Sequence, residues 1–116
     1  MKAADWILTL EDDEQSGLTL AEIMAAVSKV TRVGKLDMMS THRAAHIAEA
    51  RQIFQWFART YTSRSYPEIG RFCKRDHATV VHGFRKIDAR KSDLRPKLDA
   101  VAKELGVEIE RMREAA

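Results

Sequence analysis

Residues 65–91 constrain the fold most, because they hold two helix-start signals in close succession with basic residues between them. Ser65 and Glu68 form a capping box, in which the serine oxygen accepts a hydrogen bond from a free helix N–H and the glutamate accepts one from the serine N–H. Pro67 suits the first helical turn, where its missing donor would have no partner. Asp76 is a favourable N-cap for a second helix. Two helices joined by so short a turn are typical of a helix-turn-helix.

The second helix, which we expect to run to about Lys91, has two chemically different sides. Val80, Phe84 and Ile87 recur at i, i+4 and i+7 and therefore share one buried stripe. Methyl, short polar and basic groups of the kind that read base edges in the major groove lie opposite it. Those residues are Ala78, Thr79, His82, Arg85 and Lys86. The alternative is an amphipathic surface helix with a solvated polar side, since helix-turn-helix patterns have many false positives.

A first helix is predicted from Thr19 to about Arg32. Thr19 and Glu22 form another capping box, apolar residues follow at helical spacing, and Gly34 is expected to stop the helix. Residues 35–39 are interpreted as a connection. This helix should belong chiefly to the core.

A long helix should follow, capped by Ser40 or Thr41 and running through Arg43 to about Tyr61. Five apolar or aromatic residues share one side of it, so it is the natural central support for the helix-turn-helix. They are Ile47, Ala50, Phe54, Phe57 and Tyr61. Trp56 lies off the centre of that stripe and is expected at the edge of the core.

A last helix is predicted from a cap at Ser92 and Asp93 to Gly106. Its apolar residues repeat at spacings of 4, 3 and 4 and should close the core. They are Leu94, Leu98, Val101 and Leu105. The fold class that we expect is therefore all-α, a compact helical bundle that contains a helix-turn-helix and has a long central helix.

The chain divides into three parts. Residues 1–17 combine a short apolar patch with the acidic run 11–14 and are predicted to form a flexible arm, with docking on a partner as the alternative. Residues 18–105 form the helix-turn-helix domain, with room for one modest core. Residues 106–116 are a helical extension, in which 107–112 is an alternative contact for a homodimer or another partner.

Positive charge is concentrated in the middle of the chain. The whole sequence has a formal charge of +3. Residues 40–91 contain 11 basic and 4 acidic side chains, whereas the segments before and after them carry −3 and −1. A positive segment centred on the helix-turn-helix is what phosphate binding needs.

Three arginines on the predicted long helix are spaced for backbone contacts. Arg43, Arg51 and Arg59 are eight residues apart, so each is turned by about 80° from the last. Such a spiral can follow a curved phosphate backbone. The alternative is three ordinary surface arginines.

Several short segments resemble, in order along the chain, the signature of the C-terminal DNA-binding domain of the bacterial replication initiator DnaA, a Trp-repressor-like helix-turn-helix. They are Arg43, ARQ at 50–52, SYPEIG at 65–70, RDHATVVH at 75–82 and RKI at 85–87. The resemblance covers about residues 18–105. An ordered set of motifs is much more specific than a generic helix-turn-helix.

The resemblance implies roles for individual residues. Asp76, His77, Thr79 and His82 are implied to approach bases or adjoining phosphates, and Arg43 to reach the minor groove. Contacts with the DNA backbone are implied for Arg51, Gln52 and Arg59. The candidate DNA-binding set is Arg43, Arg51, Gln52, Arg59, Lys74, Arg75, Asp76, His77, Ala78, Thr79, His82, Arg85 and Lys86.

This sequence differs from the family pattern at two places near the second helix. Ala78 stands where the family usually has Thr or Ser, so a methyl replaces a hydroxyl at a predicted base contact. The turn at residues 71–74 is one residue shorter than the family's glycine-rich version. We expect these differences to change which bases are read and how the second helix is aimed.

Other chemistries find little support in the sequence. The single Cys73 excludes an internal disulfide and argues against a cysteine-based zinc site. No nucleophile accompanies His77 and His82, so we expect no enzyme and no cofactor or metal. The absence of a membrane span or signal peptide predicts a cytoplasmic, nucleoid-associated protein.

The preferred hypothesis is a sequence-specific double-stranded DNA-binding protein that acts as a transcription regulator. The sequence has no glycine-rich nucleotide loop, and stand-alone chains of this type resemble activators of prophage-like or gene-transfer-agent gene clusters. RNA polymerase or a regulatory subunit would then be a partner. One alternative is a replication-associated protein that binds sites like the DnaA box. The other is a protein-interaction module without DNA binding.

Overall fold

The computed structural model describes residues 18–107, and these form six α-helices. The helices are α1 (Leu20–Thr31), α2 (Lys35–Met38), α3 (Ala45–Tyr61), α4 (Tyr66–Cys73), α5 (His77–Ala89) and α6 (Arg95–Leu105). No residue of this range lies in a β-strand. The prediction of an all-α fold is confirmed.

The long helix α3 is the centre of the fold. It packs against α1, α2, α4 and α5, while α4 also packs on α5 and α1 on α6. The predicted stripe on α3 is buried except at Tyr61, which is half-buried. Trp56, expected at the core edge, is 3% exposed, and its indole N–H donates to the Asp88 carboxylate at 3.1 Å. The fully buried core side chains include Ile23, Val27, Phe54, Phe57, Ile69, Val80, Ile87 and Leu98.

Three predicted helix starts are confirmed. Thr19 and Ser65 each complete a capping box with the glutamate three residues later. The Asp76 carboxylate accepts a hydrogen bond from the Thr79 N–H at 2.8 Å. In each case the signal and its partner lie within one helical turn.

The helix α1 ends at about Arg32 as predicted, but the residue that stops it and the connection after it differ from the prediction. Arg32, not Gly34, ends α1, with a left-handed backbone at φ 62° and its N–H bonded to the Ser28 carbonyl. Gly34 instead precedes α2, a four-residue helix in the segment that we predicted to be a connection. A side chain in the left-handed region costs energy, which is why a glycine was the expected stop.

The predicted start of α3 was also wrong. The helix begins at Ala45, after an N-cap at Ala44 that makes no side-chain hydrogen bond, so Arg43 lies in the loop before it. Ser40 does not cap α3, because its hydroxyl donates to the Asp37 carbonyl at 2.7 Å and accepts from the His42 N–H at 3.1 Å. Arg43, Arg51 and Arg59 therefore do not form a spiral on one helix.

The start of α6 is the remaining correction. Leu94, not Ser92 or Asp93, occupies the N-cap position, because the chain makes further turns after α5, which itself ends at Ala89 rather than Lys91. Gly106 ends α6 as predicted, at φ 74°. The predicted arm at 1–17 and most of the C-terminal extension, at 108–116, lie outside the described residues.

Candidate nucleic-acid interface

The turn between α4 and α5 is fixed by its own backbone. Lys74 has a left-handed backbone at φ 61°, and the Gly70 carbonyl accepts hydrogen bonds from the N–H groups of Lys74 and Arg75. A Cβ atom on Gly70 would lie 2.3 Å from the Arg75 carbonyl oxygen. Glycine is therefore needed at position 70, because the turn passes directly over it.

The first turn of α5 is exposed. The hydrogen bonds from the hydroxyl and the backbone N–H of Thr79 hold the pKa of Asp76 below its usual value, so this carboxylate stays charged at the positive end of the helix. His77 and Ala78 follow it on the surface. The polar end of α5 is thus open to a ligand.

The two sides of α5 have the orientation that the sequence predicts. Val80, Gly83 and Ile87 are buried, and Phe84 is half-buried. The opposite side is exposed at Ala78, Thr79, His82, Arg85 and Lys86.

The buried side-chain amide of Gln55, on α3, packs directly against α5. Gln55 is 1% exposed, and its Nε2 donates to the Cys73 sulfur at 3.7 Å. A Cβ atom on Gly83 would lie 1.9 Å from Gln55 Oε1, so α5 rests directly on this side chain. Gln55 therefore joins α3, α4 and α5. This role of Gln55 was not predicted from the sequence, although a glycine inside a helical pattern, here Gly83, indicates close packing.

Arg51 holds protein backbone rather than facing solvent. It is 8% exposed, its Nε donates to the Met38 carbonyl at 2.6 Å, and its Nη2 donates to the carbonyls of Ser40 and His42 at 3.2 Å each. Arg75 Nη2 also donates to the Ser40 carbonyl. Only Nη1 of Arg51 makes no hydrogen bond within residues 18–107.

The other two predicted backbone contacts on α3 are placed differently. Gln52 is half-buried beside Gly83, with a Cγ atom 3.2 Å from the position of an added glycine Cβ. Arg59 is exposed, and its guanidinium carbon lies 4.8 Å from the centre of the Tyr66 ring. A cation over an aromatic face is held in place by the ring's negative face.

An open depression joins the Arg43 loop to the start of α5. Its volume is about 480 Å³. It is lined by Thr41, His42, Arg43, Ala48, Arg51 and Arg75. The structure thus brings the predicted minor-groove arginine close to the predicted major-groove helix.

In the part of the chain that the structure describes, the cations of this region have no carboxylate partners. Within residues 18–107 no carboxylate lies within 4.0 Å of the guanidinium or ammonium nitrogens of Arg43, Arg59, Lys74, Arg75, Arg85 or Lys86. Several other cations are paired, among them Lys97 and Arg90 with Glu49 and Lys91 with Asp88, while Arg32, Lys35, Arg71 and Lys103 are unpaired within residues 18–107 but lie away from α5. The unpaired set is available to an anionic partner.

Residues 18–107 offer neither a metal site nor a membrane-spanning helix. No group of three or more histidine, cysteine, aspartate or glutamate residues in the described part of the chain is placed to hold a metal ion. Among the helices of residues 18–107, none is long and apolar enough to cross a membrane.

The fold and this surface define a helix-turn-helix protein of the nucleic-acid-binding class. A family profile described as "Bacterial dnaA protein helix-turn-helix" matches residues 20–87. The chain belongs to this family. The resemblance inferred from the motifs is therefore confirmed.

Full-length relatives point the same way. The chain is 35% identical over 96 residues to the "Chromosomal replication initiator protein DnaA" of Bradyrhizobium sp. (strain BTAi1), an alignment that covers 79% of this chain and 20% of the relative. It is 39% identical to the protein of that name from Sphingopyxis alaskensis, over 76% of this chain and 20% of the relative. The match to the protein from Xanthobacter autotrophicus is 47% over 58% of this chain and 13% of the relative. The chain spans a fifth or less of these relatives.

Proposed function

We propose that this protein binds double-stranded DNA in a sequence-specific manner, with α5 in the major groove and Arg43 in the minor groove. The observation that carries the proposal is the cluster of six cations around the exposed side of α5 and the Arg43 loop, none of which has a carboxylate partner within residues 18–107. Phosphate neutralisation by such cations supplies most of the affinity for DNA, whereas base contacts supply the specificity.

In this arrangement the exposed side of α5 reads the bases. The Ala78 methyl contacts a thymine methyl, and Thr79 and His82 form hydrogen bonds with base edges or an adjoining phosphate. Asp76 and His77 approach the same strand from the helix start. Arg85 and Lys86 lie further along the exposed side and reach guanine edges or the DNA backbone.

The surrounding residues hold the phosphates. Lys74 and Arg75 lie in the turn that places α5, and Gln52 and Arg59 lie on the supporting helix. Arg51 contributes through Nη1, since its other donors hold the loop. Arg43 enters the narrow minor groove, whose negative potential attracts an arginine side chain.

A salt titration with two lysine variants tests the proposed surface. Lys86→Ala should lower the slope of log K against log salt by about one unit, because one phosphate contact is lost. Lys103→Ala, an exposed lysine on α6, is the matched control and should leave the slope unchanged. Equal slopes for both variants would remove the α5 surface from the interface.

Selection of bound sites from random duplexes tests which residues read bases. Ala78→Thr should change preference at one position by about 1–3 kcal/mol, the usual scale for a base pair. His82→Ala should flatten a neighbouring position. Unchanged profiles for both variants, with affinity retained, would show that α5 is not the reading element.

We further propose that the protein is a transcription regulator and not an enzyme, and that it activates a prophage-like or gene-transfer-agent gene cluster. Its proposed location is the cytoplasm, in association with the nucleoid. RNA polymerase or a regulatory subunit would be its protein partner, and a homodimer is an open alternative. The exposed polar and basic side of α5 supports a regulator in that such a protein must read the bases of its promoter sites. Mapping the occupied genomic sites tests this role, because a regulator should be found at promoters.

A replication-associated role is the second candidate, and the names of the relatives favour it, since they are chromosomal replication initiators. In that case the protein would occupy sites like the DnaA box at an origin. Occupancy confined to an origin would contradict the regulator proposal. Failure to bind any duplex would instead indicate a protein-interaction module.

A further inference from the structure

We propose that Arg51 and Arg75 form a clamp that fixes the Arg43 loop to the start of α5, so that the minor-groove and major-groove contacts keep one spacing along the DNA. The inference deepens the proposed function and rests on it. In this clamp both arginines are positioning residues for specificity.

Few hydrogen bonds within the Arg43 loop stabilise its conformation. Residues 40–44 lie between α2 and α3, and the N-cap of α3 makes no side-chain hydrogen bond. The Ser40 hydroxyl closes one turn within it. At its end the Ala44 carbonyl accepts from the N–H groups of Ile47 and Ala48 in the first turn of α3. The carbonyls of Ser40 and His42 are held by side chains from outside the loop, Ser40 by Arg51 and Arg75 and His42 by Arg51.

The Ser40 carbonyl is the point at which the two DNA-facing elements meet. It accepts hydrogen bonds from both guanidinium groups. Arg51 belongs to the central helix α3, whereas Arg75 directly precedes Asp76, the N-cap of α5. A shift of the loop relative to α5 would therefore break these bonds.

The charge on the clamp makes it responsive to DNA. Within the described residues neither guanidinium has a carboxylate within 4.0 Å. Burial lowers the pKa of Arg51, and the neighbouring positive charge of Arg75 lowers it further. A phosphate entering the depression would offset this repulsion, so the clamp should be tightest on DNA.

A double-mutant cycle on base preference tests the clamp. Site selection is carried out with the wild type, Arg43→Ala, Arg75→Ala and the double variant. Arg43→Ala should flatten the preference for A·T pairs at the minor-groove positions. Arg75→Ala should flatten the same positions, and the double variant should flatten them no further, because both changes remove one positioned contact.

The outcomes separate the clamp from the proposed function. If Arg43→Ala leaves the minor-groove preference intact, the proposed role of Arg43 fails. If Arg43→Ala flattens it but Arg75→Ala does not, or if the two effects add, the clamp is wrong. Arg71→Ala, an exposed arginine on α4, is the matched control and should leave the profile unchanged.

A second experiment varies the spacing between the minor-groove and major-groove sites on the DNA. A variant that had only lost stability or charge would still bind the original spacing better than the altered one. Moving the A·T pairs by one base pair relative to the major-groove site should weaken wild-type binding about tenfold, the scale of one unfavourable base pair. Arg75→Lys keeps the charge without the guanidinium fork, so it should retain the salt slope yet lose less than about twofold on the shifted site. A tenfold loss in Arg75→Lys as well would overturn the clamp.

Discussion

The loop before α3 and the turn before α5 border the same depression, but different contacts fix them. The turn is held by neighbouring backbone: the Gly70 carbonyl accepts from Lys74 and Arg75, and Asp76 caps the helix that follows. The loop is held mainly by side chains distant in sequence, among which Arg51 bonds to its carbonyls from α3.

The turn and the loop should therefore respond differently to the loss of a contact. A turn stabilised by local hydrogen bonds should persist as long as α4 and α5 remain helical. A loop that depends on tertiary contacts should open when one distant side chain is lost, while the helices remain. Local opening of this kind is expected where few bonds are internal to the segment.

The largest effect should come from Arg51→Met, which removes the donors that hold the loop. The carbonyls of Met38, Ser40 and His42 would each lose a charged hydrogen-bond donor. A buried acceptor left unpaired costs about 1–3 kcal/mol, and the carbonyls of the less buried Ser40 and His42 can bond to water instead. We therefore expect the free energy of unfolding to fall by about 2–4 kcal/mol. Urea unfolding measures the loss. A variant as stable as the wild type would mean that water replaces the arginine at no cost.

The corresponding change in the turn is Gly70→Ala. Its methyl would lie 2.3 Å from the Arg75 carbonyl oxygen, a backbone atom that cannot move without moving the turn. We expect a loss of about 1–3 kcal/mol, as for other overpacked sites. Gly34→Ala is the matched control, because nothing lies within 4 Å of a Cβ atom there. Equal stability of the two variants would show that the turn is softer than its contacts indicate.

The same distinction explains what could be predicted from sequence. The caps at Thr19, Ser65 and Asp76 were predicted correctly because each signal and its partner lie within one helical turn. The orientation of α5 was predictable because helical periodicity separates its buried and exposed sides. Periodicity also gave α3 its central place.

The errors fall where contacts are distant or unusual. The start of α3 was misplaced because Ser40 is a good cap by composition, and nothing local shows that its carbonyl is held by Arg75, 35 residues away. The hydrogen bonds from Arg51 to the carbonyls of Met38, Ser40 and His42 were not predicted for the same reason, since these partners are also distant in sequence. Arg32 ends α1 in a conformation that glycine favours, so residue type pointed to Gly34 instead.

A smaller effect should come from exchanging caps between the two regions. Ser65→Ala removes a capping box and should cost about 1 kcal/mol, whereas Ala44→Ser supplies a hydroxyl to an uncapped helix start and should stabilise by up to about 1 kcal/mol. Thermal unfolding at neutral pH compares them. Opposite signs are required, and a destabilising Ala44→Ser would show that the loop conformation excludes a cap.

The cap on α4 should also depend on pH. The hydrogen bond from the Ser65 N–H holds the pKa of Glu68 below its usual value. Its contribution is therefore complete above the pKa of an unfolded glutamate and is lost as the pH falls through the lower folded value. Glu68→Gln, which removes the charge but keeps the shape, should accordingly cost less stability at acid pH than at neutral pH in urea unfolding. An equal cost at both would show that the Ser65 N–H bond does not depend on the charge of the carboxylate.

The smallest expected effect is a gain in stability from Lys74→Gly. Lys74 and Arg32 are both exposed residues with positive φ that end a helix, so glycine at either position should relieve backbone strain and stabilise by about 0.5–1 kcal/mol. Only Lys74 lies beside α5, so Lys74→Gly should also weaken DNA binding and lower its salt slope, whereas Arg32→Gly should not. Urea unfolding and salt titration of both variants separate the two roles. Both variants could prove more stable while binding DNA as the wild type does. In that case Lys74 serves only to end α4, and the turn positions α5 without contributing a charge to the interface.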